Sequence, residues 1–163
     1  MKHRTTGFRC DETTHTSDAM WKLTDQKMVA IIACGACNVV RTTSMGVPYR
    51  ATYDLYIETI PTITHTIIAE GIVVVTGNII KKLSSQRCYW GDERYFPFQC
   101  CIELPDVIAS DVVVDSKVSV GLCEDTFAST QNLASITCLK VEVSVGRDLS
   151  VIYNNLPFHD MKG

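Results

Sequence analysis

Cysteine is the residue type in this chain with the most chemistry to offer. There are eight: Cys10, Cys34, Cys37, Cys88, Cys100, Cys101, Cys123 and Cys138. Cys34-Gly35-Ala36-Cys37 is a C-x-x-C. In redox enzymes that motif opens a helix, whose N-terminus favours the thiolate. In zinc knuckles it supplies half of a tetrahedral ligand set. Here its flanks are β-branched and strand-like, and Cys100-Cys101 is adjacent rather than spaced, so it makes a poor second half. The expectation is a turn between two strands. Neighbouring residues on a strand point to opposite faces, so one of Cys100 and Cys101 faces a core and the other faces out. An outward thiol is bonded only by another chain or by a covering arm, and Cys10 is its natural partner. Cys10, Cys100 and Cys101 are thus candidate intersubunit links. Cys34, Cys37, Cys88, Cys123 and Cys138 are candidates for intrachain disulfides or free thiols.

Other reactive constellations are missing from the sequence. His3, His15 and His159 fall in polar terminal segments, and His65 alternates with isoleucines, as a packed core histidine does. No phosphate-cradling glycine loop, HExxH or GxSxG occurs. The expectation is a protein that is not an enzyme and holds no cofactor or metal. A formal net charge of −3, with scattered basic residues, argues against a nucleic-acid partner. Met28 to Val40 is the most apolar run, but Cys34, Gly35, Cys37 and Asn38 interrupt it well short of the roughly 20 residues a membrane helix needs. No membrane span is expected.

The elements that must position these thiols read as strands. Tyr49, Ala51, Tyr53, Leu55 and Ile57 alternate with polar residues, as do Ile63, His65 and Ile67 with threonines. Ile72 to Leu83 is dominated by β-branched residues, which suit a pleated surface. Tyr95 to Leu104, Val112 to Cys123 and Asn132 to Val145 follow. In the last of these, Leu139, Val141, Val143 and Val145 share one face. Gly146-Arg147-Asp148 reads as a turn, with Leu149 to Tyr153 pairing back as a hairpin. About eight short strands with no helical period predict an all-β fold, an antiparallel β-sandwich or jelly-roll-like domain. Residues 1–24 read as an N-terminal arm, 25–153 as the single domain and 154–163 as a tail.

From about Ile60 to Val145 the order of motifs resembles the SPOCS domain of spore coat and spore envelope proteins. The resemblance rests on Ile72-Val73-Val74-Val75-Thr76-Gly77, on Tyr95-Phe96-Pro97-Phe98 followed by Ile102-Glu103-Leu104-Pro105, and on the close from Leu139 to Val145. It covers roughly half the chain and implies a β-sandwich used for assembly, with no catalytic residues. The high cysteine content and the arm with Cys10 look like the design of exosporium lattice proteins and disulfide-linked spore fibres, which implies a subunit of a disulfide-stabilised spore-surface filament or lattice, an appendage or exosporium layer. The partners are further copies of itself and other spore-surface proteins. The polar start Met1-Lys2-His3-Arg4 lacks a signal peptide's apolar core. Such a subunit would be made in the mother-cell cytoplasm and oxidised once that cell lyses. A non-polymerising morphogenetic adaptor and a small C-x-x-C metal or redox protein are the alternative readings.

Overall fold

In a computed structural model, residues 21–24 and 27–149 are described. Within them the chain is nearly all β. Strands β1 (Trp21–Thr24) and β2 (Lys27–Gly46) are followed by a 3-10 helix (Tyr49–Tyr53). Then come β3 (Tyr56–Ala69), β4 (Ile72–Ser85), β5 (Trp90–Glu103), β6 (Val112–Ser129) and β7 (Asn132–Asp148). All pairings are antiparallel, and they build two sheets: β1-β2-β7-β6, here sheet A, and β3-β4-β5, here sheet B. The chain leaves sheet A after β2, runs through the whole of sheet B, and returns so that β7 lies between β2 and β6.

Strict alternation places the core. In β4, Val73, Val75, Ile79 and Leu83 face inward, and in β7 Leu139, Val141, Val143 and Val145 do so. All of these but Leu83, with Phe98, Cys100 and Ile102 of β5, form one apolar cluster fed by both sheets. Burying a side chain of this size stabilises by about 1.5–3 kcal/mol. A second, smaller cluster at one end joins Met45, Val47, Ala51, Leu83 and Leu133.

Local turn chemistry sets the hairpins. Gly71 sits at φ +74, the left-handed value the tight β3–β4 turn requires. The segment between β5 and β6 docks on that turn, with Leu104 N–H donating to Gly71 O at 2.9 Å and Gly71 N–H donating to Val107 O at 2.8 Å. Asp111, at its end, is clamped by Arg147 of β7.

Several expectations need correcting. Cys34-Gly35-Ala36-Cys37 is not a turn: β2 runs unbroken through it for 20 residues. Gly35 is there because sheet B crosses close above it; a Cβ would stand 2.5 Å from Ile102 Cγ2. Tyr49–Tyr53 is a 3-10 helix, not the start of a strand, because the chain must turn there from one sheet to the other, with Ala51 buried beneath it. Gly146-Arg147-Asp148 continues β7, paired with Ile31, Ala30 and Val29 of β2. Trp21–Thr24, assigned to the arm, is a strand of sheet A. Seven strands stand among the described residues where about eight were expected. The rest of the arm, residues 150–153 of the expected hairpin and the tail lie outside the described residues.

Candidate functional site

Lys81 is in phase with the inward residues Ile79 and Leu83, and it is 1 % exposed. A buried ammonium is strongly disfavoured unless its donors are matched. Here they are. Lys81 Nζ donates to Thr59 Oγ1 at 2.8 Å, to Cys123 Sγ at 2.9 Å and to Asp125 Oδ1 at 3.0 Å. Thr59 lies directly opposite Lys81 in the β3–β4 ladder. Cys123 and Asp125 come from β6, so the cluster closes the seam between the edge strands of the two sheets.

A bulge makes this possible. On β6, Val118 and Val120 pair with Val141 and Leu139 of the inner face, and the register then shifts between Val120 and Leu122. Past that shift the inward parity moves to odd numbers, and Cys123 and Asp125 stand opposite Thr137 and Ser135. Without the extra residue both would point to solvent.

The electrostatics are mixed. Burial pushes the Asp125 carboxyl up, but the nearby Ser135 hydroxyl, the hydrogen bond from Lys81 and the Lys81 charge outweigh it, holding Asp125 below the ordinary aspartate value. Cys123 Sγ lies among polar atoms on several sides: Thr59 Oγ1 and Asp125 Oδ2 at 3.5 Å each, and Thr137 Oγ1 at 3.7 Å. Cys123 as a residue is neither fully buried nor fully exposed.

The remaining cysteines separate by face. Cys100 is buried and Cys101 exposed, which gives each member of that pair its side of β5. Burial, with the neighbouring Cys37 thiol, pushes Cys100 up to about 12. It is an inert core group and is not presented to another chain. Cys37 packs against the same cluster from β2. Cys34, three residues earlier, pairs with Ser144 on the opposite face, its Sγ 3.4 Å from Ser144 Oγ. Cys34 and Cys37 thus stand on opposite sides of one extended strand, a geometry that cannot make a shared dithiol or a two-thiolate ligand pair. Cys88 donates to Ser85 Oγ at 3.2 Å beside the smaller cluster. Cys10 lies outside the described residues, as do His3, His15 and His159.

The two outer faces each carry a thiol in an apolar row. On sheet A, Cys138 of β7 sits between Val40 of β2 and Leu122 of β6. On sheet B, Cys101 of β5 is followed by Val74 of β4 and Ile67 of β3. Val40, Leu122 and Ile67 are 65, 50 and 59 % exposed. His65 also belongs to this outer face, beside Ile67, and is not a packed core histidine. The register shifts between Ile63 and His65, which sends Ile63 inward and His65 out.

Elsewhere the surface offers little chemistry. A shallow cleft of about 580 Å³ is lined by residues including Val39, Arg41, Thr76, Asn78 and Gln99, and Arg41 is its single charged group. Among the described residues, no group of His, Cys, Asp and Glu side chains is arranged to hold a metal ion. No helix among them is long and apolar enough to cross a membrane.

Sequence reasoning had placed Cys123 among the internal thiols and missed Lys81, Thr59 and Asp125. One signal was there: a lysine in phase with the inward residues of a β-branched strand.

No family model, no curated protein and no solved structure matches this chain.

Proposed function

We propose that this chain is a non-enzymatic structural subunit that self-assembles into a disulfide-stabilised filament or lattice. One observation carries the reading: both outer faces expose an apolar row with a thiol in it, Val40–Cys138–Leu122 on sheet A and Ile67–Val74–Cys101 on sheet B. Contiguous exposed apolar surface of this kind marks an interaction site more often than it decorates a monomer. The body is read as a β-sandwich with jelly-roll-like return of the chain, its two outer faces pointing in opposite directions. Seating sheet A of one copy on sheet B of the next is a head-to-tail contact, which propagates as an open assembly when its rotation does not close. Cys138 of one copy and Cys101 of the next then lie in the same contact and join when oxidised.

Edge-to-edge strand addition is the lesser route. β3 and β5 carry Pro61 and Pro97, and β6 has three register shifts. Prolines and bulges are the devices by which edge strands avoid pairing with another chain. The likeness of Ile60 to Val145 to the SPOCS domain supports a spore-surface location, with assembly in the mother cell and oxidation after its lysis.

The test combines negative-stain microscopy with electrophoresis of boiled, unreduced protein. A ladder that collapses on reduction is expected, and Cys101→Ser should shorten it sharply. The same substitution should move the thermal midpoint of the reduced subunit by no more than a surface change does, within about 0.5 kcal/mol. A single monomer band, with monodisperse light scattering, overturns self-assembly in favour of a non-polymerising adaptor.

A further inference from the structure

We infer that Cys123 and Lys81 form an oxidation-dependent covalent cross-link, a direct sulfur–nitrogen bond that joins sheet A to sheet B. The inference is independent of whether copies associate, because both groups belong to one chain and face each other across its interior.

The geometry brings the reacting groups together and holds them. The two reacting atoms, Cys123 Sγ and Lys81 Nζ, are 2.9 Å apart. The amine cannot swing away: Lys81 is 1 % exposed and is also held by Thr59 and Asp125. Cys123 is intermediate in exposure, so the oxidant assigned to it is a small one, a peroxide, which needs the least room. Two hydroxyls and a carboxylate surround the sulfur within 3.7 Å and can relay protons.

The chemistry balances with a peroxide as the oxidant. The sulfur attacks one peroxide oxygen, the O–O bond breaks, and the departing hydroxide takes a proton to leave as water. Cys123 is now a sulfenic acid, the first rung of cysteine oxidation, which condenses with nearby nitrogen. Lys81 gives its extra proton to solvent, and its lone pair attacks sulfur. The S–O bond breaks and a second water leaves. In sum, one thiol, one amine and one hydrogen peroxide give one S–N bond and two waters. Sulfur is oxidised and peroxide reduced.

The bond would tie β4 to β6 at a seam where the sheets meet through polar groups. It would also keep Cys123 from irreversible over-oxidation.

The experiment uses the full chain, reduced, then exposed to stepwise hydrogen peroxide, alkylated and digested with a protease that cuts after lysine. The expected product is a linked pair of peptides carrying Lys81 and Cys123, two hydrogens lighter than their sum. Cleavage after Lys81 should be lost and then restored by a thiol reductant. Cys123→Ser should abolish the linked pair. Lys81→Arg keeps the charge and the donors but cannot condense in this way, so a sulfenic acid at Cys123 should become trappable by dimedone. The inference is overturned if Cys123 is recovered unreacted, as a sulfinic or sulfonic acid, or in a disulfide while Lys81 stays free. A bridge that retains an oxygen between sulfur and nitrogen overturns the direct bond.

Discussion

Two buried ion pairs hold the ends of β6, and they are built on different plans. At its start, Arg147 meets Asp111 as a two-pronged fork: Nε donates to Oδ1 at 2.7 Å and Nη2 to Oδ2 at 2.8 Å. The Ile108 N–H adds a third bond to the carboxylate at 2.8 Å, and Arg147 Nη2 also reaches Asp106 O at 2.9 Å. Both carboxylate oxygens and two of the three guanidinium nitrogens are engaged by oxygen or nitrogen, and the result is a clamp on the β5–β6 connection. Further along the strand, Lys81 meets Asp125 at a single 3.0 Å contact and spends another donor on sulfur. A planar fork specifies geometry, whereas an ammonium is a point charge that accepts whatever surrounds it. The first arrangement leaves nothing to react. The second brings a nucleophilic sulfur and an amine to within reach of each other.

Breaking the second pair should have the larger effect. Asp125→Ala removes the counter-charge of a lysine that is 1 % exposed, and removing one partner of a buried pair costs about 3–5 kcal/mol. Chemical denaturation of the reduced protein should show this as a lowered midpoint at unchanged slope. Asp111→Ala should cost less, about 2–3 kcal/mol, because the Arg147 side chain keeps 23 % exposure and can turn to water, although the Ile108 N–H is orphaned. If the order of the two variants reverses, the fork and not the depth of the charge governs.

Both pairs should respond to acid. For Asp111, burial pushes the carboxyl up, but the bonds from Arg147 and Ile108 win and leave it below the ordinary aspartate value, as Asp125 is. Both folded values therefore lie below the unfolded value of about 3.9. Their stabilisation is complete above that pH and is lost as pH falls through the folded values. The unfolding free energy should drop below about pH 4, and Asp111→Asn should flatten that drop. The smallest effect is expected from Lys81→Met. It removes the buried charge while Asp125, 17 % exposed, can hydrate, so the cost should stay near about 1 kcal/mol. A loss as large as that of Asp125→Ala would show that the ammonium is itself a structural support of the seam.

The alternation of the long strands could be read from residue order, and the site could not, for one physical reason. Period-2 patterning gives the inward face of β4 and β7 directly, since each position differs from the next only in side. A bulge shifts that parity without a distinctive residue type. Gly121 precedes Cys123 and Asp125, and Thr64 precedes His65, but neither announces that everything after it has changed sides. Alternation alone therefore puts His65 inward, and a strand read as ending at Cys123 leaves Asp125 out of view. Cys34-Gly35-Ala36-Cys37 failed in a related way. A glycine between cysteines suggests a turn, yet it is the crowding of Ile102 and Leu104 against β2 that calls for a residue without a side chain.

By itself, the sequence determined that the chain is built of antiparallel strands, that Leu139 to Val145 alternate into a core, and that Cys100 and Cys101 divide between inside and outside. Those properties are local: they follow from side-chain branching and from the two-residue repeat of a strand. The tertiary structure alone decided which thiol of that pair faces out, that Cys34 and Cys37 never meet, and that Lys81 finds Cys123 and Asp125. Those properties depend on register and on how two sheets stack. Register is set by bulges and close glycine contacts that only the packed chain reveals.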